Sequence, residues 1–303
     1  MSRSSSRFGG ILALALVAAA ICVFSGPAYG AAGVQVSIAS SATPFNADDV
    51  LRYSGGAFTA PSISWDNPAP GGSVDNWMVT QSAATQLGGS GAVGINDNGY
   101  YPASGARLYD VQLGFTNATP TGTNVAIRST TAGSFTFNVP NNQYSQFAIF
   151  GSGGSGNTTL TITLNYATGS PTVLTGVTLP DWYSGAGTTA AGAAGTYFAL
   201  TPALSRQAAY SFPTGGYQVP GSSGAYIYGI NLAPDSTRVL TSVAVSYTPS
   251  SPGYTIANFL AAAGAVAAGS TGTSTPAPGT LILLLLGLSV VAWYFVRRRR
   301  KAF

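Results

Sequence analysis

The last 28 residues constrain this chain more than any other stretch. Residues 276–280 read Pro-Ala-Pro-Gly-Thr, and an apolar run without a charged side chain follows from Leu281 to Val296. A run of about 16 to 17 residues is at the short end of what spans a hydrocarbon core. In lipid every backbone N–H and C=O needs an internal partner, so the run is predicted to be helical. Trp293 and Tyr294 close it, where amphipathic rings favour the membrane interface. Arg297 to Arg300 and Lys301 follow, and such a basic cluster stays on the cytoplasmic side. Residues 280–303 are therefore expected to form one transmembrane helix with a basic cytoplasmic tail. Everything before Thr280 is expected outside the cytoplasmic membrane. Five consecutive positive charges disfavour a buried core helix, because Lys and Arg are almost never fully buried without partners.

Pro276-Ala277-Pro278, the apolar span and the Arg297, Arg298, Arg299, Arg300 cluster together resemble the PEP-CTERM sorting signal of Gram-negative bacteria. The resemblance implies an exosortase-type membrane protease-transpeptidase as a partner, beside the lipid bilayer itself. It also implies delivery to the cell surface or to exopolysaccharide. Ala277 stands where the family usually has Glu.

The other end of the chain reads as a secretory signal peptide over residues 1–30. Arg3 and Arg7 form a basic start, Ile11 to Phe24 an apolar stretch, and Ala28-Tyr29-Gly30 offers small residues at the cleavage positions. Cleavage there leaves a mature chain beginning at Ala31. Cys22 is the sole cysteine and lies inside this segment, so the exported body holds no disulfide.

Charge must be read by segment. The body carries Arg52, Arg107, Arg128, Arg206 and Arg238 against Asp48, Asp49, Asp66, Asp75, Asp97, Asp110, Asp181 and Asp235, a net −3. The +4 of the whole chain comes from the two membrane-directed segments. An acidic body argues against a nucleic-acid partner, which requires a basic surface.

The body is rich in Gly, Ser, Thr, Val, Tyr and Phe and contains no Lys or Glu. This composition predicts a mainly β fold of many short strands joined by turns. We expect a jelly-roll-like antiparallel β-sandwich over residues 31–263, as one large sandwich or two small ones. Residues 264–279, rich in Gly, Ser, Thr and Pro, are expected to form a flexible stalk. Alternation of apolar residues predicts strands at Val34–Ile38, Leu108–Phe115 and Ser134–Val139, and the short apolar run Phe147–Phe150 reads as a central strand. Thr159–Tyr166 and Val173–Leu179 read as a hairpin closed by Ala167-Thr168-Gly169-Ser170-Pro171. Tyr226–Leu232 and Val239–Tyr247 read as a late strand pair, and Tyr254–Ala263 as a short Ala-rich helix.

The stretch from Leu108 to Tyr247 resembles bacterial galactose-binding-like β-sandwich domains. The likeness rests on the strand ending at Tyr166 with Gly169 in its turn, on Leu179-Pro180-Asp181-Trp182, and on Leu232, Pro234, Asp235, Thr237, Arg238, Val239, Leu240 and Val243. It implies a jelly-roll sandwich and, loosely, glycan binding. Such a fold hosts many functions, so no ligand follows from it.

The body has no His and no Cys. The usual zinc sites and the Ser/His/Asp and Cys/His arrangements are therefore closed to it. Paired aspartates, as in an Asp-dependent glycoside hydrolase, are the most plausible catalytic option left, and no enzyme activity is expected. Asn96-Asp97-Asn98-Gly99 has oxygen ligands at the spacing calcium takes, and Asp48 or Asp49 can complete such a site. Local turn and capping duty is the competing role for these aspartates. Trp65, Trp77, Tyr100, Tyr101 and Trp182 are candidates for stacking on sugar rings, against a core role for each. The expected function is a non-catalytic surface or matrix protein, with carbohydrate binding in exopolysaccharide as the alternative.

Overall fold

In the computed structural model, the described residues are 34–36, 47–59, 61, 64–66, 75–88, 94–114, 127–201, 206–209 and 224–268. The chain divides into two units, Met1–Ser270 and Thr271–Phe303, and all described residues belong to the first. The predicted signal peptide and the predicted transmembrane helix lie outside the described residues.

The longest strands follow from the clearest alternation. β8 (Gly133–Asn142), β10 (Thr158–Tyr166), β11 (Thr172–Leu179) and β15 (Leu240–Pro249) carry inward residues at about every second position, whereas β9 (Tyr144–Gly154) is buried without a break from Phe147 to Gly154. On β10 these are Leu160, Ile162, Leu164 and Tyr166, all buried as the alternation predicts. β10 and β11 form the expected antiparallel hairpin. One sheet has the order β11-β10-β15-β8.

A second sheet packs against it. It contains β1 (Val34–Val36), β7 (Ile127–Ser129), β12 (Tyr197–Ala199), β14 (Tyr228–Asn231) and β16 (Ile256–Val266) together with β9. Its order is β1-β16-β9-β14-β12, and β7 also pairs with β16. Phe135, Phe137, Ile162, Val245, Ile149 and Phe259 meet between the two sheets in one core. All pairs in both sheets are antiparallel.

The opposite face of the second sheet is covered as well. β2 (Val50–Ser54), β3 (Ala57–Thr59), β4 (Asp75–Val79) and β13 (Arg206–Ala209) form a small sheet of order β13-β4-β2-β3. β2 and β4 run parallel, with Val50 opposite Met78. β5 (Tyr100–Tyr101) and β6 (Val111–Gln112) form a two-stranded ladder. Val50, Trp65, Met78, Tyr109, Phe150 and Leu260 make a second core. Strand alternation sends Leu51, Trp77 and Val79 to the far side of the small sheet, against Ala83 and Ala84 of α1 (Gln81–Gln86). Thr80 caps α1, its Oγ1 accepting from the Ala83 N–H at 3.4 Å.

Four expectations are corrected. Residues 254–263 were expected as a helix, yet Ile256–Val266 is β16. Each of its faces meets a core, so small Ala side chains fit between layers, and tertiary packing overrides Ala's helix propensity. The late strands do not pair with each other. β14 lies between β9 and β12, and β15 between β10 and β8, so the turn at residues 234–237 carries the chain from one sheet to the other. Of the strand expected at 108–115, residues 108–114 are described, and among them only β6 is strand, with Leu108 exposed. The expected stalk also starts later, because β16 continues to Val266.

Candidate functional site

The three body tryptophans are interior residues. Trp65 and Trp182 are 0% and 1% exposed, and their rings stack at 6.0 Å between centroids. Trp65 Nε1 donates to Ser152 Oγ at 3.2 Å, and its carbonyl accepts from Asn258 Nδ2 at 3.2 Å. Trp77 is 4% exposed under α1. A sugar cannot reach these ring faces, which corrects their assignment as glycan contacts.

Tyr100 and Tyr101 are neighbours on β5 and so face opposite ways. Tyr101 is buried, and its hydroxyl oxygen accepts from the Asn96 N–H at 3.1 Å. Burial pushes its phenol up to about 12. Tyr100 is exposed and donates to Asp110 Oδ2 at 2.6 Å. That bond to a carboxylate raises its pKa. Of the five candidates, Tyr100 alone presents its ring to solvent.

The aspartates serve local structure. Asp48 pairs with Arg52, both buried. Burial raises the Asp48 pKa, with the Arg52 charge opposing it. Asp49 is fully buried. Asp97 accepts from the Ser82 N–H at 2.9 Å and from the Ser82 hydroxyl. Asn98 Oδ1 accepts from the Tyr100 N–H, and Gly99 takes φ +65°. Residues 96–99 thus form a turn pinned to α1 and β5. Among the described residues no group of three or more His, Cys, Asp or Glu can hold a metal.

Two clefts were not legible in the sequence. One, of about 360 Å³, is lined by Tyr53, Gln81, Ser82, Thr85, Gln86 and Asp97. Its residues come from β2, α1 and the 96–99 turn, which only the fold brings together. Gln81 Nε2 donates to Asn96 Oδ1 at 2.9 Å at its rim. The other, of about 300 Å³, lies between the 104–107 turn and residues 188–200. There the buried Arg107 guanidinium donates to the carbonyls of Tyr101, Tyr109 and Pro102. Burial lowers its pKa.

The remaining predicted site residues, Pro276, Ala277, Pro278 and Arg297 to Arg300, lie outside the described residues. No helix among the described residues is long and apolar enough to cross a membrane. The fold defines a mainly β protein of largely antiparallel sheets. Its C-terminal region carries a PEP-CTERM protein-sorting motif, which matches at residues 274–301. No curated protein and no solved structure matches the chain.

Proposed function

We propose that this is a non-catalytic exported protein, recognised through its C-terminal motif by an exosortase-type membrane enzyme and delivered to the cell surface or extracellular matrix. The observation that carries it is the motif match over 274–301, which takes in the proline pair, the apolar run and the arginine cluster. The predicted signal peptide supports export. The sheet-switching path of β8–β9–β10 and β14–β15–β16 supports a jelly-roll-related body. The non-catalytic part of the proposal draws on the described aspartates. Asp48, Asp97, Asp110, Asp181 and Asp235 each hold an arginine, a turn or a cap.

Intact mass of the protein from the surface and membrane fractions tests this. A species running from Ala31 to between Pro276 and Thr280 is expected at the surface. Recovery of Phe303 in every fraction would overturn processing.

Saccharide binding is the second reading, and the cleft at Tyr53, Gln81, Gln86 and Asp97 favours it. One aromatic ring, two amides and a carboxylate suit a neutral polyhydroxylated ligand better than a charged one. A glycan array is the test. Binding that survives Gln86→Ala and Tyr53→Ala would remove this cleft as the site.

A further inference from the structure

Arg52 and Arg107 are both buried, but their charges are met differently. Arg52 is ion-paired with Asp48. Arg107 is 7% exposed, and no carboxylate among the described residues pairs with it. Arginine is almost never buried so deeply without a partner. A guanidinium also keeps its proton inside proteins, so the charge has to be met where it stands. The Asp110 carboxylate acts on it only at longer range. That carboxylate is held by the Tyr100 hydroxyl at 2.6 Å and the Ala103 N–H at 2.8 Å.

Carbonyls meet part of the charge. Nη1 donates to the carbonyls of Tyr101 and Tyr109, and Nη2 to that of Pro102 at 2.6 Å. The Nε–H and one Nη2–H are left without a bond among the described residues. Nε and Nη2 bound one edge of the guanidinium plane, and such an edge grips two carboxylate oxygens side by side.

The cleft of about 300 Å³ opens beside this group, with Ser104, Thr188, Thr189, Phe198 and Leu200 in its lining. That volume is at the small end of ligand sites. No acidic side chain lines it, whereas Asp97 lines the other cleft. The Thr188 hydroxyl is spent on the Tyr197 carbonyl at 2.9 Å. The hydroxyls of Ser104 and Thr189 are exposed and make no bond among the described residues. Both walls are fixed in advance. Gln146 holds the 104–107 wall, accepting from the Leu108 N–H at 3.0 Å and donating to the Ala106 carbonyl at 2.9 Å. The Thr188 N–H donates to Tyr197 at 2.7 Å and the Ala199 N–H to Ala186 at 2.8 Å in the opposite wall. Preorganised walls lower the entropic cost of binding.

We propose that the Arg107 cleft binds a sugar carboxylate, a uronate unit whose carboxylate meets the Nε–Nη2 edge and whose hydroxyls meet Ser104 and Thr189. One cation matches one negative charge. A phosphate dianion would find no second cation in the lining. This cleft is separate from the one at Asp97, so the failure of either reading leaves the other standing.

The test uses the full chain in zwitterionic detergent micelles, which carry no sugar headgroup. Calorimetric titration with sodium D-glucuronate is compared with D-glucose and with inorganic phosphate at equal ionic strength. Glucuronate is expected to bind about tenfold or more tighter than either. Glucose or phosphate binding as tight as glucuronate, or no glucuronate binding at all, overturns the proposal. A linked glucuronate trimer separates the sources. Tighter binding than the monomer assigns a polysaccharide unit, equal or weaker binding a free sugar acid, and both uphold the carboxylate site. Arg107→Lys keeps the charge but not the fork, and is expected to lose the preference for glucuronate over glucose. Arg107 also pins three carbonyls, so Thr189→Trp repeats the test from an exposed position that leaves those bonds in place. It narrows the cleft, and glucuronate affinity is expected to fall about tenfold or more while the urea midpoint is unchanged. Undiminished glucuronate binding by folded Thr189→Trp chain places the ligand elsewhere and overturns the site.

Discussion

A phenol buried away from water cannot easily become a phenolate, because the charged form is the one that burial penalises. Tyr101, Tyr109, Tyr144 and Tyr228 are all in this position, and burial raises each pKa. Tyr101 and Tyr144 rise from 10.0 to about 12. Between those values the unfolded chain releases protons that the folded chain keeps. Folding stability is thus intact below pH 10 and is lost as pH rises towards 12. A melting temperature flat to pH 10 and falling steeply above it is expected, with the tyrosinate absorbance of the buried phenols appearing together with unfolding. Gradual ionisation of all tyrosines in a folded protein would contradict this. Tyr109 adds a separate test, since its hydroxyl finds no hydrogen-bond partner among the described residues. Tyr109→Phe is expected to be neutral or stabilising by up to about 2 kcal/mol in urea unfolding. Tyr144→Phe loses the bond to the Pro140 carbonyl at 2.8 Å and is expected to cost about 1 kcal/mol.

At the scale of elements, the middle sheet is squeezed between two cores, and its strands show it. β16 is almost wholly buried and rich in Ala, and Gly151 on β9 sits opposite Phe259. A Cβ at Gly151 would press into the Asn258 carbonyl oxygen of β16. Gly151→Ala is therefore expected to destabilise by about 1–3 kcal/mol, as overpacking does. Thr161→Val on the open face of β10 should stay within about 0.5 kcal/mol. Urea midpoints of the two variants decide this. The same double coverage explains what the sequence concealed. β8, β10 and β11 each have one solvated face, so their alternation was plain. β16 has none, and its Ala run looked helical. The third layer was hidden for another reason: β2, β3, β4 and β13 are only three to five residues long, and β4 finds β2 and β13 across long sequence gaps. The candidate site suffered likewise. Tryptophan at a strand end gives no sign of which way it faces. The Tyr53–Asp97 cleft exists only once β2, α1 and the 96–99 turn converge.

For the whole molecule, the body and the sorting motif present separate problems to the cell. The body carries a net −3 and the net positive charge lies at the chain ends, so retention and folding can be altered independently. Arg297 to Arg300 and Lys301 resist translocation because each charge would have to cross the hydrocarbon core. Replacing the four arginines by Gln should release this stop and lower the membrane-held fraction, while the urea midpoint of the body stays unchanged. Ala277 poses a sharper question, because the resemblance at this position calls for a carboxylate. A missing carboxylate weakens any recognition that uses a charge-assisted hydrogen bond, a contact worth roughly 1.5–3 kcal/mol. Ala277→Glu is therefore expected to raise the ratio of processed to unprocessed chain, by about tenfold or more if recognition limits the rate. Intact mass of the two fractions reads that ratio directly. An unchanged ratio would mean that the proline pair, the apolar run and the arginine cluster suffice for recognition, and that the Ala277 side chain takes no part in it.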